Sequence, residues 1–365
     1  MPESSTIATI RERVRSFVFR FAVRSSGCGS VRGFSFRPGA GEPDLYGTID
    51  AVYALHIAGL LEECSSPSER VQWAQEIRGC RDSQGWFTKR NYRGHGREHA
   101  TAYALGGLRL LGDTEPCGSI VELEPILSDE RSFSKWINRL GFQSLRDIAR
   151  KNLGWHYLWR SSHIGGGVAA IVGEMKDRGE IWIGAPHGPD AWLSRFLDWL
   201  DMRPKKSTGL WQRALWQFFY RKPTVIDLGG AAHFWWIYEK CNRPIPYPAN
   251  LIPSIVSVQK PNGLYKGETP FCIDFDAVNG IITAISQLNA KEHGNAYSSA
   301  ATSIEKSWNA LIAILSSVDL STLYPHSHGL PGALAALAEC GRMPNARYAE
   351  LLKDFRPILC DTWWL

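Results

Sequence analysis

Six small, apolar, helix-prone segments recur along the chain, each led by an Asp or a His: IDAVYALHIAGLL from Ile49, EHATAYALGGLRLLG from Glu98, SHIGGGVAAIVGEM from Ser162, DLGGAAHFWWIYEK from Asp227, DFDAVNGIITAI from Asp274 and SHGLPGALAALAEC from Ser327. The polar leaders are Asp50, His99, His163, Asp227, Asp276 and His328, spaced by 49, 64, 64, 49 and 52 residues. A repeat of that size holds one helical hairpin. Six hairpins predict an all-α fold, an (α/α)6 toroid in which inner-helix N-termini meet at one end.

Between these segments lie amphipathic ones, such as SPSERVQWAQEIRGC, DAWLSRFLDWLDM and PANLIPSIVSVQ. In them apolar residues return every three or four positions, as at Trp192, Phe196 and Trp199, which marks a helix with one buried stripe. Segments that are small and apolar all round predict the inner ring, and the striped ones the outer. Residues 1–47 read as an amphipathic N-terminal helix to about residue 25 followed by a Gly/Pro-rich loop, and residues 48–365 as the toroid domain. The stretch EIWIGAP, with Trp182, reads as one short strand, and nothing alternates in a way that would build a sheet.

The formal charge of +5 comes without any run of five basic residues, so no nucleic-acid partner is expected. The densest basic stretch runs through Arg11, Arg13, Arg15, Arg20 and Arg24, interleaved with Ile10, Val14, Phe17, Val18, Phe19 and Phe21. Residues 7–24 could therefore touch a membrane surface, or pack on the outside of the ring. The eight cysteines are scattered without a CxxC pair, and no apolar run reaches the length of a membrane span. The expected setting is cytoplasmic, with free thiols and peripheral membrane contact as the variant.

A second repeat is a Gly-x-aromatic turn at Gly85-Trp86-Phe87, Gly209-Leu210-Trp211 and Gly263-Leu264-Tyr265. The third reads Gln259-x3-Gly263-x-Tyr265, and Arg81 holds the Gln position in the first. A structural role, with Gly turning the chain and the aromatic plugging the gap between hairpins, is the favoured reading of these turns. With the Asp- or His-led helices they resemble the terpenoid cyclase and protein prenyltransferase toroid superfamily over roughly residues 48–345. That resemblance implies an isoprenoid-type cyclase or transferase working in a central cavity. The family's D-x-D-D acid motif is matched by Asp274 and Asp276, with Ala277 in place of the fourth acid, and Asp276 falls on the proton-donor position. The family's zinc chemistry implies Cys272, Asp276 and His328 as ligands, although their order differs from the family's. No other cofactor is expected.

The remaining candidates come from the leaders and the aromatics. Asp50 and Asp227, with Asp274 and Asp276, are the candidate catalytic carboxylates. His99, His163, His328, Trp86, Trp155 and Trp159 are the candidate substrate-binding residues. Each Asp could equally cap a helix and each His could sit satisfied in the interior. A series of caps alone, however, would favour Ser and Thr over His. Two further readings stand beside the isoprenoid one. In a glycoside hydrolase or polysaccharide lyase, paired Asp residues would flank the scissile bond and Trp would stack on sugar rings. A non-catalytic repeat scaffold would present a groove to a partner.

Overall fold

The computed structural model describes residues 3–25, 29–88, 95–141, 155–180, 188–211, 222–343 and 346–365. Among them the chain is mostly helical, with a single two-stranded antiparallel sheet. Twelve helices of eight residues or more follow in order: α1 (Glu3–Phe19), α2 (Leu45–Ile57), α3 (Pro67–Arg78), α4 (Arg97–Leu110), α5 (Glu130–Gly141), α6 (Trp155–Asp177), α7 (Gly188–Asp201), α8 (Val225–Lys240), α9 (Pro248–Val256), α10 (Cys272–Ile285), α11 (Ala290–Ser317) and α12 (Gly329–Cys340). The expected strand near residue 181 lies outside the described residues.

The even-numbered helices are the six Asp- or His-led segments, and their surroundings match their composition. Every residue of α2 is buried, as are Asp227–Tyr238 of α8, Ile273–Ile285 of α10 and Leu330–Cys340 of α12. Each even helix packs on the next, α2 on α4, α4 on α6, α6 on α8, α8 on α10 and α10 on α12, and α12 returns to α2. The odd helices cover this cycle: α3 touches α2 and α4, α5 and α7 touch α6, α9 lies on α10, and α11 touches α10 and α12. Small residues set the spacing. A Cβ on Gly332 of α12 would lie 2.4 Å from the backbone nitrogen of Cys272, and one on Gly166 of α6 would lie 2.8 Å from the carbonyl oxygen of His233. Any side chain at either position would push neighbouring helices apart.

Helix starts differ from the expectation that each segment begins at its polar leader. Asp44 caps α2 by accepting the Gly47 amide at 2.9 Å, which moves Asp50 into the second turn. His163 lies in the third turn of α6, because that helix begins at Trp155. Asp227 closes a capping box with Thr224, and His328 stands just before α12 without a side-chain cap bond.

The N-terminal region also departs from its expected course. The first helix ends at Phe19, and the following residues form β1 (Ala22–Arg24) paired with β2 (Val31–Phe34). Ile7, Ile10, Val14, Phe17 and Val18 are buried, where α1 lies on α2 and α11. Arg11 donates to the carbonyls of Ala58 and Gly59 and pairs with Glu63, and Arg13 donates to the carbonyl of Ser316. The apolar face that would meet a membrane is thus spent on the helices beside it. Among the described residues no helix is long and apolar enough to cross a membrane.

The Gly-x-aromatic turns show why the residue four places earlier matters. Gln259 Nε2 donates to the Gly263 carbonyl at 3.0 Å and to Ser303 and Ser307 of α11, and Arg81 Nε reaches the Gly85 carbonyl at 3.0 Å. Gly85, Gly209 and Gly263 have φ of +91°, +69° and +86°, the left-handed region that glycine enters freely. Phe87, Trp211 and Tyr265 are buried beneath the turns.

The far ends of α8, α10 and α12 share a polar network. Arg342 bridges Glu239 at 2.6 Å and Glu339 at 2.9 Å, while Asn279 and Thr283 donate to Glu239. Glu339 is fully buried, and its Oε1 has no hydrogen-bond partner. Burial raises its carboxyl to about 7, against the pull of Arg342. The native state therefore binds this proton more tightly than the unfolded chain. Stability from this group is full below the unfolded value near 4.5 and is lost as pH rises towards 7, by roughly 3 kcal/mol in all. Glu339→Gln is expected to flatten that slope. Urea midpoints of both proteins at pH 5 and pH 8 check it, and identical slopes would remove the assignment.

The last residues run into the centre of the helices. A single turn, Ile358–Asp361, is held by Asp361 on His56 at 2.8 Å and by Lys240 on the Leu359 carbonyl at 3.0 Å. Beyond it, Tyr53 OH donates to the Trp364 carbonyl at 2.7 Å and Trp363 Nε1 donates to Asp177 at 2.8 Å. Glycines 106, 166 and 173 on α4 and α6 leave the room that Thr362, Trp364 and Trp363 occupy.

Candidate functional site

Five of the chain's ten histidines converge where the first halves of α2, α4, α6 and α8 meet the start of α12. His95 lies just before α4 and His99 in its first turn. His163 comes from α6, His233 from the middle of α8, and His328 from the residue before α12. Ring centroids are 4.1 Å apart for His95–His99, 4.8 Å for His99–His163, 4.4 Å for His163–His233 and 5.1 Å for His95–His328. Trp364 closes the inner side, stacked on His233 at 4.9 Å and edge-on to His99 at 5.5 Å.

Asp50 anchors the polar side of this cluster of packed rings, the histidine chamber. Its carboxylate is buried and accepts from Tyr103 OH at 2.9 Å, Ser327 Oγ at 2.6 Å and His328 Nδ1 at 2.9 Å. Donation from Nδ1 to the carboxylate fixes the His328 tautomer, with the proton on Nδ1 and the lone pair on Nε2. That Nε2 lies 3.1 Å from Nε2 of His95. The other rings have neutral partners: Tyr46 OH approaches His99 Nδ1 at 3.4 Å, and Ser162 Oγ approaches His233 Nδ1 at 3.0 Å. Burial first, then the neighbouring imidazoles, push His99 and His163 well below the usual histidine range, and burial with His163 does the same to His233. These three rings are neutral near pH 7. Burial and the Asp50 carboxylate likewise drive the Tyr103 phenol upward, so it stays protonated as a donor.

Of the sequence candidates, Asp50, His99, His163 and His328 come together here. Asp227 does not join them through its cap: it accepts from Thr224 N and Oγ1 at 2.9 and 2.7 Å. Asp274 is a structural cap as well, accepting the amides of Tyr265 and Phe271 at 2.9 Å each, with its carboxyl raised to about 6 by burial. Asp276 is buried, and neither of its oxygens has a hydrogen-bond partner. Burial, then Asp274, hold it well above the ordinary carboxyl range. Trp86 is buried under its turn, with the Arg97 guanidinium 4.5 Å over its ring. Trp159 is partly open, with Lys266 Nζ 5.7 Å over it and His163 6.5 Å away. Trp155 opens α6, and its side chain lies outside the described residues.

The expected zinc set does not assemble. Cys272 and Asp276 are near each other on α10, whereas His328 turns to Asp50 and His95. Among the described residues the ligand atoms that do converge are those of His95, His99 and His163, all within 4.8 Å of one another. His95 and His233 were not among the sequence candidates. His95 has a signal, the four-residue spacing to His99 in HGREH, which brings two imidazoles to one side of a helix start. His233 has none, since a lone His inside AAHFWW reads as core.

No protein-family model, no curated protein and no solved structure matches this chain. The resemblance to the isoprenoid toroids therefore rests on the turns and leaders alone.

Proposed function

We propose that the chain is an enzyme on an (α/α)6 toroid, with the even helices inside and the odd helices outside, and that it performs general-base chemistry on a small polar molecule in the histidine chamber. The closed cycle of helix contacts and the long buried stretches of α2, α8, α10 and α12 support the toroid. The observation that carries the chemistry is the Asp50–His328 pair. A buried carboxylate on Nδ1 leaves Nε2 as a base and stabilises the imidazolium that forms when it takes a proton. His95 and His328 are both partly exposed, so substrate approaches from their side, while Trp364 blocks the other. The test is mass spectrometry of cell extracts incubated with the wild type and with Asp50→Asn. A compound consumed by the wild type and spared by the variant supports the reading, and equal consumption by both ends it.

A second reading is an isoprenoid-type cyclase or transferase started by proton donation from Asp276. One observation favours it: a fully buried carboxyl without partners keeps its proton at neutral pH and has nowhere to give it except to a guest. In the lipid fraction of the same extracts, Asp276→Asn should abolish any cyclisation, since an amide has no acidic proton to give. Unchanged product formation would remove Asp276 from that role.

A further inference from the structure

The geometry points to a transition-metal site in the chamber, in which His95, His99 and His163 each give one ring nitrogen to a zinc-like divalent cation. The inference rests on the reading above only for what the ion would do, and on the following observations for its presence.

Three nitrogens from two segments of chain lie within 4.8 Å of one another. A tetrahedral ion with bonds of about 2.0–2.1 Å needs nitrogens about 3.4 Å apart, so the set must contract by roughly 1.4 Å, within the reach of ring rotation. The donor set is all imidazole, without thiolate or carboxylate, which suits zinc and its neighbours rather than calcium or magnesium.

Ring packing supplies the second argument. His95 and His99 stack at 4.1 Å, and His163 stands 4.8 Å from His99 and 5.3 Å from His95, so one ion can reach a nitrogen of each. An outer layer is also present: Tyr46 sits on the far nitrogen of His99, and His328 with Asp50 sits on His95. Such outer partners fix ring orientation in metal sites. Three protein ligands leave a fourth position for water, the arrangement of catalytic rather than structural zinc.

The experiment uses the full chain stripped with a chelator and titrated with Zn2+ by calorimetry and with Co2+ by visible absorption. The expected result is one equivalent bound, with the intense visible bands of four-coordinate Co2+. His95→Gln and His163→Gln are each expected to weaken binding by more than about 100-fold, with unchanged circular dichroism. His56→Gln, at a position of α2 that pairs with Asp361 of the tail and stands outside the nitrogen set, is expected to bind as the wild type does. Less than about a tenth of an equivalent in the wild type overturns the site, and so does wild-type affinity in both ligand variants. If either chamber variant loses its fold, the wild-type stoichiometry and Co2+ spectrum still decide. Metal bound normally beside an Asp50→Asn protein of full turnover would sink the base reading alone. An inactive Asp50→Asn protein without any metal binding in the wild type would sink the metal alone.

Discussion

Asp50→Asn is expected to lower turnover by about 10³–10⁴-fold while leaving a folded protein. The carboxylate accepts from three donors, Tyr103 OH, Ser327 Oγ and His328 Nδ1, and it can do so only because it has no hydrogen of its own. An amide has one oxygen for these three donors and presents two hydrogens to the rest. The imidazole at 328 then gains most by turning its lone pair to the amide and carrying its proton on Nε2, where it is no longer a base. The same mismatch costs about 1–3 kcal/mol of stability, well short of unfolding a chain this size. Turnover and urea denaturation on one preparation separate the two effects. A variant with turnover within about threefold of the wild type would show that the pair does not act in the reaction.

Trp364→Ala is expected to destabilise the protein by about 3–5 kcal/mol. The indole is fully buried and meets His233, His99 and Trp236 at ring distances of 4.9, 5.5 and 5.2 Å. Its place was made by glycine at position 166, whose missing Cβ would lie 3.0 Å from the indole ring. Helices held apart on several sides relax little into a hole, so most of the cavity cost should remain. Guanidinium midpoints of the two proteins give the number. A loss below about 1 kcal/mol would mean that the tail is a surface ornament rather than part of the core.

The repeat was legible because composition and burial say the same thing: a helix of Ala, Gly and Leu on all sides has to be covered on all sides. The positions of α2, α4, α8, α10 and α12 follow from that, whereas their starts do not: Asp44 and Thr224, and not the polar leaders, cap α2 and α8. The site was legible in part. Leaders Asp50, His99, His163 and His328 converge, although they stand in the second, first and third turns of their helices and, for His328, just before one. Asp227 and Asp274 were read as catalytic, yet Asp227 closes a capping box with Thr224 and Asp274 accepts the amides of Phe271 and Tyr265, a local use that the same letters serve equally well. His95 is hidden from the repeat because it precedes its helix, and His233 because it sits two turns too deep. The tail could not be foreseen: Trp363 and Trp364 belong to no hairpin, and only the glycines opposite record where they go.

The two halves of the Asp50–His328 pair lie 278 residues apart in sequence. They meet only when the last even helix reaches the first. Closing a loop of that length costs about 5 kcal/mol in chain entropy, and nothing local offsets it before α12 docks on α2. The His328 imidazole therefore acquires its tautomer at the same moment as α12 reaches α2. On the proposed reading a half-assembled chain is chemically silent, and a nick or strain that parts α12 from α2 would switch the base off without touching it. Activity would then be a readout of topological completion.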